Sequence, residues 1–212
     1  MDKRFLMIIG AIIIVFGGIV WFNNHSDSKN GSSNTQPTNH VEGEGQSGVT
    51  LVEYGDYQCP YCSEYYQTVK QVVSDYSTQI HFQFRNLPLT QVHQNAFAGS
   101  RAAEAAALQN KFWEMHDLLY ENQDQWTSSS SPQTVFNQYA TQLGLNLNQF
   151  KTDYASQKVN NLINADIDAF NKTGETMETP TFFLDGKKVN PANNENAFKT
   201  ILDAEIAKKT KK

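Results

Sequence analysis

Cys59 and Cys62 are the only cysteines of this 212-residue chain, and just two residues separate them within "LVEYGDYQCPYCSEYY", Leu51–Tyr66. Three kinds of chemistry use cysteines: a structural disulfide, a metal site, and thiol–disulfide exchange. A bridge between these two would close almost no loop. The chain entropy a disulfide removes grows with loop length, so such a staple adds little stability. Structural zinc needs four ligands, usually two knuckles of Cys or His. No second cysteine pair exists, and His81, His93 and His116 are scattered along the chain. Neither a metal site nor a cofactor is therefore expected. Exchange chemistry fits the spacing, and it requires one thiol that ionises readily and a second within reach.

The flanking residues supply that setting. "VTLVEYGDY" is apolar and β-branched, and reads as a buried strand over Val49–Tyr54. Tyr65, Tyr66, Val69, Val72, Val73 and Tyr76 then recur at helical spacing, which predicts a helix from about Pro60 to Asp75. Cys59 falls at the start of that helix, where free N–H groups and the positive end of the dipole favour thiolate over thiol. Its pKa should drop below ~8.5. Cys62, one turn further on, should be more buried and act as the resolving thiol. Pro60 fixes φ at the helix start and limits movement of the pair.

Glu53 stands six positions before Cys59. A carboxylate in the middle of "TLVEY" is costly to bury without a purpose, which favours a functional role over an ordinary charge at a strand end. Strand alternation alone leaves its facing open. Tyr54, Tyr57, Tyr61, Tyr65 and Tyr66 crowd the cysteines, either as an apolar rim for unfolded chains or as core. Trp113 and Met115 read as packing. His81, His93 and His116 carry no assignment.

The remaining elements follow from pattern. "QIHFQFRNLPL" alternates Ile80, Phe82 and Phe84 with His81, Gln83 and Arg85, a second strand. Strand, helix and strand make a right-handed βαβ unit with parallel strands. From about Thr90 to Gly174 the chain reads as helical throughout. Within it, Ser131 is the expected N-cap before Pro132 at the first helical position, with closure at Gly144. A further helical pattern starts at Asn146 or Asn148 and carries through Phe170 to Gly174. "TPTFFLDGKKVN" is a hairpin signal with an Asp185-Gly186 turn. A last helix is expected over about Ala192 to Lys208. The class is α/β: a βαβ…ββα core with a helical insertion at about 90–174, occupying residues 49–212.

Ahead of this domain the composition changes. Asp2, Lys3 and Arg4 precede Phe5–Phe22, 18 residues without a charge. That is about the minimum to cross a bilayer core of ~30 Å. The basic flank favours a cytoplasmic N-terminus, and Trp21 and Phe22 suit the far interface. Residues 1–22 are expected to be a cytoplasmic stub and transmembrane anchor, with a cleaved signal peptide as the competing reading. Residues 23–48 are rich in Asn, Ser and Gly and read as a flexible polar linker, with His25 and His40 in solvent. The net charge of −5 gives no hint of nucleic-acid binding. The C-terminal "AKKTKK" reads as a solvated end.

"VTLVEYGDYQCPYC" resembles the active-site segment of DsbA-like thiol–disulfide oxidoreductases, within the thioredoxin-fold superfamily. "SRAAEAAALQNKFWEMHDLLYEN" is similar to that family's helical insertion, and "METPTFFLDGKKV" to its proline loop and terminal hairpin. The anchor suggests a membrane-tethered, Gram-positive type. The resemblance implies Cys59 as nucleophile, Cys62 as resolving cysteine and Pro180 as the cis-proline against the redox-active disulfide Cys59-Cys62. It also implies that the backbone of Thr179 pairs with bound substrate, beside Pro60 and Tyr61. Glu53 matches the acidic residue such proteins bury beneath their cysteines, where it is thought to assist proton transfer. One departure is Pro60-Tyr61, where Gram-negative DsbA enzymes typically carry Pro-His; Tyr61 cannot supply a positive charge near neutral pH.

The expected function is an extracytoplasmic oxidoreductase that introduces disulfides into exported proteins. Its expected partners are reduced or unfolded exported chains and a membrane redox protein that reoxidises the pair. A reductase or isomerase with the same site, and a non-catalytic binding or chaperone module, are the alternatives.

Overall fold

The computed structural model describes residues 35–211, which form one compact unit. The anchor expected over residues 1–22 lies outside the described residues. Among the described residues, no helix is long and apolar enough to cross a membrane.

Five strands form one mixed sheet: β1 His40–Glu42, β2 Val49–Gly55, β3 Ile80–Asn86, β4 Thr181–Leu184 and β5 Lys187–Val189. Their order is β1-β3-β2-β4-β5. The central strand β2 runs parallel to β3 and antiparallel to β4, while β1 and β5 pair antiparallel at the edges. Helix α1, Pro60–Asp75, makes the crossover from β2 to β3 and matches the expected range. Between β3 and β4 come α2 Ala96–Ala107, α3 Phe112–Glu121, α4 Gln123–Trp126, α5 Pro132–Gln142, α6 Leu147–Tyr154 and α7 Gln157–Asn171. Helix α8, Glu195–Lys209, ends the fold.

The alternation of β2 decides what each side chain meets. Val49 and Leu51 face a large core shared with α1, α8 and the insertion, through Val69, Val72, Phe198, Leu202, Met115, Phe136 and Phe150. Val52 and Tyr54 face the opposite side, where Leu87, Phe170 and Phe183 make a second cluster beneath α7. Glu53 therefore shares the α1 face with Leu51, the face that carries the cysteines. The β4–β5 turn has φ of 47° at Asp185 and 78° at Gly186, the left-handed pair that a two-residue hairpin needs. Lys209 of α8 pairs with Asp185 at 2.6 Å, so the basic C-terminal end is tied to the hairpin.

Four expectations need correction. Residues 35–48 do not form a linker: His40–Glu42 is strand β1, and Thr38 is held by Asp166, whose carboxylate accepts from its N and Oγ1 at 2.7 Å each. His40 is not in solvent. It stacks on Phe112 at 3.5 Å between ring centroids, and its Nε2 lies 2.8 Å from Glu104. The helical pattern beyond Asn146 is two helices. Asn146 caps α6 by accepting from Gln149 N, and Ser156 caps α7 by accepting from Val159 N. Finally, Ser131 sits at the N-cap position of α5 but makes no capping hydrogen bond with its side chain.

Candidate active site

The site stands at the C-terminal end of β2, where the chain turns into α1. Asp56 organises the turn. Its carboxylate accepts from Gln58 N at 2.8 Å and from Leu89 N at 2.9 Å, and lies 2.7 Å from His93 Nδ1. The first of these is a short-range side-chain-to-backbone turn contact of the kind Asp favours. The others tie the active-site loop to the segment after β3. Gln123 adds a second hold, donating to the carbonyls of Tyr57 and Cys59 at 2.9 and 3.1 Å. Sequence reading missed Asp56, His93 and Gln123. The Asp directly after the strand was the available signal for Asp56, whereas Gln123 had none, because its reach is long-range.

Cys59 is the N-cap of α1 and Pro60 is its first residue. Both cysteines are free thiols; Cys59 is 4% exposed and Cys62 is fully buried. The Thr179–Pro180 peptide bond is cis, the geometry the resemblance implied. It brings the Thr179 carbonyl to 3.5 Å from Cys59 Sγ, which donates to it. Asp56 N donates to Cys62 Sγ at 3.5 Å.

These surroundings split the two thiols. Cys59 is lowered to about 6. The Cys62 thiol contributes most, by hydrogen-bonding the thiolate; burial opposes it; the Thr179 side chain and the N–H groups of Cys62 and Tyr61 add to the stabilisation. Burial pushes Cys62 well above the usual thiol range, reinforced by Cys59 and Glu53. One thiol is thus poised to attack and its neighbour is held protonated. Glu53 is 3% exposed, and burial followed by the Cys59 charge raises it to about 8. Its carboxyl is therefore protonated at neutral pH.

The tyrosines separate by role. Tyr57 and Tyr66 are core residues, and Tyr54 belongs to the opposite face. Tyr61 is 66% exposed. Together with Tyr65, Thr179, Pro180, Phe182 and Pro191 it lines a groove of about 380 Å³ beside Cys59. Met115 is fully buried and Trp113 packs against the main core, as packing residues do. Among the described residues, no three His, Cys, Asp or Glu side chains gather into a group that could hold a metal ion.

The family model described as Thioredoxin matches residues 35–204. Among curated relatives, a protein named Na(+)/H(+) antiporter NhaA 3 from Salinispora tropica is 38% identical, over 78% of this chain and 24% of that protein. Another, named Na(+)/H(+) antiporter NhaA 1, from Salinispora arenicola, is 36% identical, over 79% and 25%. The chain spans about a quarter of the length of these relatives. Among solved structures, a thioredoxin-like oxidoreductase from Silicibacter pomeroyi superposes with a TM-score of 0.66 at 25% identity, covering 80% of this chain and 92% of that one. BdbD from Bacillus subtilis gives 0.70 at 21%, covering 81% and 96%. Wolbachia pipientis alpha-DsbA1 gives 0.70 at 18%, covering 83% and 94%. Matched by that family model over residues 35–204, the chain belongs to the thioredoxin family, and it shares its fold with DsbA proteins.

Proposed function

We propose that the protein is a thiol–disulfide oxidoreductase that introduces disulfides into exported proteins through Cys59 and Cys62. The observation that carries this reading is the split between the two thiols, with Cys59 lowered to about 6 and Cys62 raised and buried. In the oxidised form a substrate thiolate attacks Cys59 Sγ and breaks the Cys59–Cys62 bond. The electron pair leaves on Cys62, which takes a proton. A second substrate thiolate then attacks the substrate sulfur, and Cys59 departs as a thiolate. A stable thiolate is a good leaving group, so a low Cys59 pKa drives the step forward.

The groove beside Cys59 suits an extended, unfolded chain. Tyr61, Tyr65 and Phe182 offer apolar contact, and the Thr179 backbone stands next to the reacting sulfur. Residues 5–22, apolar and preceded by Lys3 and Arg4, support a membrane-tethered enzyme acting outside the cytoplasm. A membrane redox partner would reoxidise the pair. One feature favours the reverse, reductive direction as a second reading. Tyr61 is neutral and exposed, so the thiolate lacks the cation that a histidine there would bring.

Trapping tests the mechanism. Cys62→Ser, mixed with a disulfide-bonded peptide, should accumulate a Cys59-linked mixed disulfide that dithiothreitol releases. Cys59→Ser should form none. Equal behaviour of the two variants would remove Cys59 from the nucleophile's role.

A further inference from the structure

Burying Glu53 beneath the cysteines solves one problem and creates another. Its carboxyl can give Cys62 a proton, but an acid this deeply buried then needs a way to recover it. A narrow cavity of about 30 Å³ touches Glu53 and lies between β2, α1 and α3. That is room enough for a water molecule. His116 and Tyr120 of α3 also line it. Both are buried, and both carry a polar atom without a hydrogen-bond partner among the described residues: His116 Nε2 and Tyr120 Oη. Buried polar atoms are rarely left unpaired, and two such atoms on residues that line one space with Glu53 suit a bridging water.

The other nitrogen of His116 points to the exit. Nδ1 lies 3.3 Å from Asp117 Oδ1, and Asp117 is partly exposed. Asp117 and Lys70, paired at 2.8 Å, line the same cavity and also a larger surface cleft of about 340 Å³. Residues lining connected spaces thus run from Glu53 through His116 to Asp117 and the cleft. An imidazole can take a proton on one nitrogen while releasing one from the other.

We propose that His116, reached from Glu53 through this cavity, carries protons between Glu53 and the solvent-facing Asp117 carboxylate during thiol–disulfide exchange. The proposal rests on the oxidoreductase reading and deepens it. In the oxidising direction, substrate thiolate attack puts an electron pair on Cys62 Sγ, and Glu53 gives its proton there. A cavity water protonates the Glu53 carboxylate and is itself reprotonated from Nε2–H. Nδ1 gains a proton from solvent at Asp117, so one proton has entered and the ring is left protonated at Nδ1, the form from which the outward path of reoxidation starts. Reoxidation runs the same path outward.

The groups facing the ring agree with a neutral relay. Burial holds His116 below its usual value, against the pull of Asp117; Lys70 and His40 act in the same sense as burial. Glu53 on β2, Lys70 on α1 and Glu42 of β1 line the same cavity as the ring, and Tyr66 of α1 packs on it at 5.8 Å between centroids. Tyr57 packs on it edge-on, at 5.6 Å between centroids. Burial raises Tyr57 and Tyr120 well above the usual range, so both stay protonated and His116 is left as the group that can exchange.

A conduit changes rates and leaves equilibria alone. In full-length protein, the rates of reduction by glutathione and of oxidation by glutathione disulfide should both fall at least about tenfold in His116→Phe, by the same factor. The reduction potential and the alkylation pKa of Cys59 should stay at wild-type values. His116→Gln keeps a polar side chain but cannot pass a proton between two ring nitrogens, and should behave alike; it serves if the Phe variant fails to fold. In a Glu53→Gln background, changing His116 should have no further effect. Wild-type rates in either His116 variant, or effects of Glu53 and His116 that simply multiply, would overturn the relay. Absence of glutathione exchange in the wild-type protein would instead overturn the oxidoreductase reading itself.

Discussion

The chemistry of this protein comes down to three ionisable side chains whose surroundings push them apart. Cys59 is lowered by hydrogen bonding to the Cys62 thiol, while Cys62 and Glu53 are raised mainly by burial. Glu53 gives the clearest signature in stability. The folded side chain holds its proton to about pH 8, whereas its ordinary value is 4.5. Between those values the folded state binds more protons than the unfolded one, so this group makes stability fall as pH rises from 4.5 to 8. Glu53→Gln, shaped like the protonated acid, removes that slope. Denaturant titrations of the reduced protein should find the variant more stable than wild type by about 3–5 kcal/mol at pH 8, with little difference at pH 4.5. An equal difference at both pH values would mean that Glu53 is not buried as described. Tyr61 is the residue that departs from the DsbA pattern. Its exposure puts it in the groove and leaves thiolate stabilisation to Cys62, the Thr179 side chain and the backbone.

At the scale of elements, the strand-to-helix turn and the hairpin were legible from sequence because their signals are local. Period-two and period-3.6 patterns gave β2, α1, β3 and the β4–β5 pair. Strand β1 was missed because His40–Glu42 is too short to show a period, and its pairing with β3 is visible only across more than 40 residues. The break between α6 and α7 was missed because Phe150, Tyr154 and Val159 stay apolar across it; Ser156 was the one local cue. The segment before β1 belongs to the fold through Asp166. That carboxylate is fully buried, accepts from Thr38 N and Oγ1, and also takes Asn86 N at 3.0 Å. Asp166→Ala leaves those donors unpaired, and should lower unfolding free energy by about 3 kcal/mol or more. Amide exchange over residues 38–42 should quicken in the same variant. Unchanged protection there would show that the segment is held by something else.

The whole molecule is what turns an ordinary cysteine into a reactive one. Strand β2 delivers the loop, α1 supplies its N-terminus, and the Thr179–Pro180 loop, more than 100 residues further on, closes over the sulfur. The candidate site was legible at Cys59, Cys62 and Pro60 because they are adjacent in sequence. Pro180 and Thr179 came from family resemblance, since an X-Pro before a strand says nothing local about its partner. Asp56, Gln123 and His116 emerged only with the tertiary structure, being polar residues whose meaning depends on what long-range packing places beside them. The most direct test compares the rate of Cys59 alkylation against pH in folded and urea-unfolded reduced protein. The folded protein should react at one thiol with a midpoint near pH 6, and the unfolded chain at both with a midpoint of about 8.5. The same midpoint in both states would contradict the account, because the fold would then be doing nothing to the cysteine it encloses.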